Sequence, residues 1–243
     1  MNAAKGVLNI LDSVSFINPF PLFPGIAEFF DDFFSHSDNQ PDGVIKLGDS
    51  YENMSDTQLV RLSLDNPDRF YYLIKRYESR LLRYIRRSTD ASREEAEDLL
   101  QEIFIKIYRN LNGFNQKLKF SSWAYRIARN EIINQFHKKK AYTSKIGLNI
   151  DDNDNNLTDF VTDALDLQDS YISRENAEKV KEALAELPAK YRDVLILRYF
   201  EDKNYNEISD ILRKPPGTVA TLINRAKSGF KKIARRHQLE SLI

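Results

Sequence analysis

The stretch Tyr205–Lys232, YNEISDILRKPPGTVATLINRAKSGFKK, decides the class of this chain. Ile208, Ile211 and Leu212 recur at helical spacing before Lys214-Pro215-Pro216-Gly217. Val219 and Ile223 repeat the pattern after it. Proline ends a helix that reaches it and is tolerated at the first position of the next. The spacing therefore predicts two amphipathic helices packed across a short turn, the second beginning near Thr218 and running into lysines. A pair of this kind is a helix-turn-helix, whose second helix normally enters the DNA major groove.

About 80 residues upstream lies Ala96–Lys140, opening AEDLLQEIFIKIYRN and continuing LNGFNQKLKFSSWAYRIARNEIINQFHKKK. Ser55 with Gln58 and Ser92 with Glu95 are capping-box pairs, and Asn66-Pro67 is a cap followed by proline. Helices are predicted over about 56–64, 67–88, 93–111 and 121–140. The fold class is all-α: two small helical domains, residues 55–145 and 177–243, joined by a flexible acidic linker, residues 146–176. Residues 1–54 form an extension with seven of the chain's 15 phenylalanines. There Ile26, Phe29, Phe30, Phe33 and Phe34 make an apolar stripe opposed by Glu28, Asp31 and Asp32. That stripe is read as docking on the chain's own first domain, as a site for a partner, or as disordered.

The net charge of zero conceals strong segregation. Residues 1–55 hold 2 Lys/Arg against 8 Asp/Glu, and residues 56–145 hold 19 against 11. Residues 146–177 hold 1 against 8, and residues 178–243 hold 14 against 9. Two basic blocks joined by an acidic segment suit a protein that grips nucleic acid at two places, with ordinary solvated charge as the alternative. The absence of cysteine excludes disulfides, thiolate metal sites and cysteine nucleophiles. His36, His137 and His237 form no ligand spacing. There is no glycine-rich phosphate loop and no nucleophile elbow, so neither an enzyme nor a cofactor is expected. No apolar run reaches a membrane span, and no signal peptide is recognisable, so the chain reads as cytoplasmic and not membrane-inserted.

Taken in order, Glu97-Asp98-Leu99-Leu100-Gln101-Glu102-Ile103-Phe104, Trp123-Ala124-Tyr125-Arg126-Ile127-Ala128-Arg129-Asn130, Leu187-Pro188, Arg192-Asp193-Val194-Leu195, Leu197-Arg198-Tyr199, Glu207-Ile208 and Gly217-Thr218-Val219 form a series. In order and spacing it resembles the extracytoplasmic-function type of bacterial sigma factor, the promoter-reading subunit of RNA polymerase. The resemblance spans roughly residues 55–145 and 177–236.

It implies that the chain binds core RNA polymerase and promoter DNA, melting one promoter element and reading another as duplex. Asp98, Gln101, Glu102 and Phe104 would face the polymerase. The loop Leu111–Ser122 would capture an unstacked base of the minus-ten element with Asn112, Phe114, Asn115 and Lys119. The following helix would add Arg126, Arg129, Asn130, Asn134, His137, Lys138, Lys139 and Lys140, with Trp123 assigned to the core. Gly217, Thr218, Ala220, Thr221, Asn224, Arg225 and Lys227 would face the minus-thirty-five duplex. The acidic linker is either a solubilising tether or the segment that threads the polymerase's positively lined channel.

Two departures stand out. Asn134-Gln135-Phe136-His137 replaces an Asp-x-x-Arg pattern. Ala220-Thr221-Leu222 also lacks the usual basic residues, which predicts weaker charge attraction to duplex DNA. An anti-sigma factor or a DNA-bound recruiter is left open as a further partner. Rival readings are a DNA-binding regulator that ignores polymerase and a sigma-like adaptor working through residues 1–54.

Overall fold

The structure is a computed structural model that describes residue 51, residues 53–145, 179–237 and residue 239. The stripe Ile26–Phe34 and the acidic linker lie outside the described residues.

Both predicted capping boxes form. Ser55 opens α1, Asp56–Asp65, and exchanges bonds with Gln58 through its backbone N–H (2.8 Å) and its Oγ (3.3 Å). Ser92 opens α3, Arg93–Arg109, by the same reciprocal pairing with Glu95. Each box satisfies two backbone donors that a helix start otherwise leaves open. Asn66 caps a single 3₁₀ turn, Pro67–Arg69, which runs into α2, Phe70–Ser88. After a second 3₁₀ turn, Leu111–Gly113, comes α4, Phe120–Lys145, longer at its C-terminus than its periodicity indicates.

The first core is read directly from helical spacing. Phe70, Leu73, Ile74, Tyr77, Leu81, Tyr84 and Ile85 line the inner face of α2. They meet Leu99, Leu100, Ile103 and Ile107 of α3, and Ala124, Tyr125 and Ala128 of α4. Full burial of one such side chain stabilises by about 1.5–3 kcal/mol.

The second domain contains α5, residues 179–185, and α6, Ala189–Leu195, which widens into a π turn, Ile196–Phe200. Next come α7, Tyr205–Leu212, and α8, Pro216–Arg236. The start of α7 is a third capping box: the Asn204 side chain accepts from Glu207 N–H at 3.0 Å, and Glu207 returns the bond at 2.9 Å. Arg213 closes α7 in the left-handed region at φ 52°, a conformation that favours glycine and strains a residue that carries a Cβ. The predicted start of the second helix needs correction. Pro215 is its cap and Pro216 its first residue, two positions before Thr218, because the fixed φ of proline suits a first helical turn. Val219, Ile223, Ala226 and Phe230 then face Ile208, Ile211, Val194 and Leu195. At Gly229 a Cβ would stand 3.1 Å from Leu187 Cδ2, so glycine permits the close approach of α8 to the residues before α6.

Candidate nucleic-acid interface

The first basic block becomes one surface built from the 111–119 loop and α4. Asn112, Asn115 and Lys119 are exposed on the loop, with the Asn115 side chain accepting from Lys117 N–H at 3.0 Å. Along α4, Asn130, Asn134, His137, Lys138 and Lys139 are exposed, while Arg126 and Arg129 are half-buried. Lys139 lies 3.8 Å from Glu95, a surface pair of small energetic weight. Phe114 departs from its expected place. Its ring is buried against Phe120 and Trp123, with centroids 5.5 and 5.1 Å away, and it presents no free face to a base. This aromatic cluster fixes where the loop leaves the domain.

A cavity of about 330 Å³ opens between the end of α3, the loop and α4. Its walls include Asn110, Trp123, Arg126, Asn130, Glu131 and Asn134. One indole, three amides, a guanidinium and a carboxylate converge here, a lining that can hold a planar heterocycle by contact and orient it by hydrogen bonds. Trp123 is thus part of the core, as expected, and also a cavity wall. Glu131 is absent from the sequence-derived site. Its signal was available: it is the single acidic residue among residues 103–145, which carry ten Lys/Arg.

On α3, Asp98 and Glu102 are exposed and Gln101 is half-buried, all on one face. Phe104 is the exception, buried in the core against Phe70 and unavailable at the surface. The second domain exposes Gly217, Thr218, Thr221, Asn224 and Arg225 along the outer side of α8. Ala220 and Lys227 are half-buried, with Lys227 Nζ 5.4 Å from the Tyr199 ring centroid. The Thr221 hydroxyl donates to the Gly217 carbonyl at 2.9 Å.

The two domains meet through a polar seam that the sequence does not announce. Asp193, on α6, accepts from the Tyr84 hydroxyl at 3.1 Å and from Arg129 Nε. Glu201, placed by the π turn, accepts from Arg87 Nη1 at 3.0 Å and from the Tyr125 hydroxyl at 2.6 Å. Each carboxylate therefore joins one tyrosine and one arginine of the first domain. Lys119 Nζ pairs with Glu207 at 2.9 Å, and Arg213 forms part of the cavity rim near Arg126. Burial pushes the Glu201 carboxyl above its ordinary range, against the opposing pull of Arg87 and Tyr125. Burial and the facing carboxylates push both phenols well above theirs. In this arrangement α7 lies against α4, and two of the cations expected to hold DNA are occupied by carboxylates.

Among the described residues, no His, Cys, Asp and Glu group is arranged to hold a metal ion. No helix among them is long and apolar enough to cross a membrane.

Comparison with known proteins gives this geometry its family. The model of Sigma-70 region 2 matches residues 73–142, and that of Sigma-70, region 4 matches residues 177–228. The chain is 31% identical over 191 residues to the ECF RNA polymerase sigma factor SigW of Bacillus subtilis, covering 76% of this chain and 98% of that one. It is 30% identical over 179 residues to the RNA polymerase sigma-H factor of Pseudomonas aeruginosa, covering 73% and 92% respectively. Among solved structures, CnrH in complex with the cytosolic domain of CnrY matches with a TM-score of 0.54 at 18% identity, over 75% of this chain and 99% of that one. The sigma factor RpoE of Bartonella quintana, in complex with the anti-sigma factor NepR, matches with a TM-score of 0.50 at 23% identity, over 67% and 96%. These two likenesses concern the fold. The paired matches, in the order and spacing of the two helical blocks, place this chain in the sigma-70 family, among its extracytoplasmic-function sigma factors.

Proposed function

We propose a division of labour for this sigma factor, which binds core RNA polymerase and directs promoter recognition and transcription initiation. Residues 55–145 bind polymerase and melt the minus-ten element. Residues 177–243 read the minus-thirty-five duplex. The acidic segment 146–176 threads the polymerase channel. The exposed carboxylates Asp98 and Glu102 of α3, with Gln101, form the polymerase face. The cavity beside Trp123 takes an unstacked base, and Arg126, Asn130, Asn134, Lys138 and Lys139 guide the single strand along α4. Arg and Lys hold phosphates, while amides read base edges. The observation that carries this reading is the convergence of indole, amides and guanidinium on an open cavity of about 330 Å³, large enough to admit a nucleobase, beside a basic helix.

Duplex DNA meets Thr218, Thr221, Asn224 and Arg225 on α8, with few cations pointing at the groove. Recognition there rests on hydrogen bonds and shape more than on charge, or on a DNA-bound recruiter. The protein works in the cytoplasm with the polymerase. The apolar stripe of residues 1–54 is its regulatory docking element, and an anti-sigma factor is a fitting partner. DNA entry to α4 also requires Asp193 and Glu207 to release Arg129 and Lys119, so promoter use and separation of the two domains are linked.

The test is open-complex formation by the reconstituted holoenzyme. Arg126→Ala with Asn130→Ala should abolish single-strand reactivity at the minus-ten element while core affinity stays unchanged. Unchanged melting would refute the role of the cavity.

A further inference from the structure

Arg126 of α4 and Arg213, at the end of α7, line the same cavity from different domains. Neither guanidinium makes a hydrogen bond or an ion pair among the described residues. Burial, and then the charge of Arg213, push Arg126 below its ordinary value, against the pull of Asp210. Lys106 is the third cation of the lining and is paired with Glu131, its single carboxylate. The lining thus sets three cations against one anion, with both guanidinium groups outside that ion pair.

Arg213 is held there in a strained conformation. Its φ of 52° lies in the left-handed region, where glycine is favoured. A solvated surface arginine accounts for its exposure. It does not account for strained backbone that brings one positive charge against another, and strain of this kind gathers at ligand clamps and switches.

In the docked arrangement α7 lies along α4, while Asp193 and Glu207 occupy Arg129 and Lys119. A continuous strand is shut out of α4, yet the cavity of about 330 Å³ stays open to solvent. What suits it is a discrete molecule with a planar heterocycle against Trp123 and Ile127 and polar edges toward the amides of Asn130 and Asn134. Two guanidinium groups at the rim call for phosphate oxygens, which they bind bidentately.

We propose that the docked protein binds a free nucleoside 5′-diphosphate or triphosphate, its phosphates bridging Arg126 and Arg213 and its base beside Trp123. Such a ligand ties one domain to the other, favours the docked state by mass action and opposes promoter melting. That regulatory role rests on the reading that the promoter strand reaches α4 only after the domains part.

The chain has one tryptophan, so the emission of Trp123 reports the cavity without a label. The full-length protein is titrated with ADP, adenosine and pyrophosphate in the absence of DNA and polymerase. ADP should change the emission saturably, and adenosine and pyrophosphate, each lacking half of the contacts, should bind about tenfold more weakly or worse. Arg213→Gly suits the left-handed backbone and keeps the fold, and should weaken ADP about tenfold or more. Arg235→Ala, an exposed cation outside the cavity lining, should leave ADP affinity unchanged. With core polymerase and promoter DNA added, saturating ADP should slow open-complex formation about threefold or more in wild type and leave Arg213→Gly unslowed. No saturable response to ADP, equal affinity for pyrophosphate, or unchanged affinity in Arg213→Gly overturns the site. Binding without slowed melting overturns its regulatory role. Failure of strand capture shows separately, as unchanged melting in Arg126→Ala with Asn130→Ala, and leaves the titration result standing.

Discussion

Replacing Asp193 with alanine should loosen the docked arrangement of the two domains. In the structure Asp193 holds both Arg129 and the buried Tyr84 hydroxyl, with the Arg129 side chain 25% exposed and that of Asp193 14% exposed. Breaking a fully buried charge pair costs about 3–5 kcal/mol, because the partner is left charged and unsolvated. A quarter-exposed guanidinium regains part of its hydration, which lowers that figure. The stranded Tyr84 hydroxyl adds roughly 1 kcal/mol. A net loss of about 2 kcal/mol follows, or about a 30-fold shift of the docking equilibrium toward the separated state. Because the chain has no cysteine of its own, Asp65→Cys and Lys232→Cys provide two clean labelling sites, one in each domain. Energy transfer between dyes at these sites reports docking directly. Asp193→Ala should populate a low-transfer state while the melting of each domain core stays in place. Unchanged transfer, with Asp193→Ala folded, would refute the claim that this carboxylate holds the domains together.

The same dye pair tests pH dependence. The Glu201 carboxyl is raised by burial, so its contribution to docking is full below the ordinary carboxylate range and is lost as pH climbs through the raised value. Transfer should therefore weaken over that upward window, and Glu201→Gln, neutral throughout, should remove the dependence. For Glu207, burial acts upward but the Asn204 backbone bond and Lys119 prevail, so its pKa is lowered and its contribution disappears as pH falls through the lowered value. Lys119→Ala should abolish that acid limb. Ser92→Ala removes the α3 capping box and should cost about 1 kcal/mol, read as a lower melting temperature. Ala220→Arg adds a cation to the outer side of α8, and should steepen the salt dependence of duplex binding by about one unit of log–log slope. An unchanged slope would remove Ala220 from the DNA face.

Signals that act over three or four residues were legible in the sequence. Ser55/Gln58 and Ser92/Glu95 each start the helix they predict, because a cap needs only its own turn. Asn66-Pro67 instead starts a 3₁₀ turn, and the predicted helix begins three residues later, at Phe70. The core stripes of α2, α3 and α8 follow from the 3.6-residue period. The aromatic residues divided less clearly. Phe104 and Phe114 lie in motifs that suggest contact with a partner, yet both are buried, since a helical motif carries core and surface positions in one string. Asp193, Glu201 and Glu207 were illegible as cross-domain partners. Their cations lie between 64 and 114 residues away in sequence, and no local pattern encodes such a pairing. The π turn that delivers Glu201 is likewise a product of packing, since Ile196–Phe200 reads as ordinary helix.

Reconstitution tests the function of this sigma factor most directly. Purified core polymerase, fragmented DNA from the source genome and mapped transcript starts, with and without this protein, form the whole assay. The account predicts new starts preceded by two spaced sequence elements, with single-strand reactivity confined to the downstream one. A protein that fails to bind core polymerase would contradict it, whereas stable binding without new starts would point to a DNA-bound recruiter or to inhibition by residues 1–54.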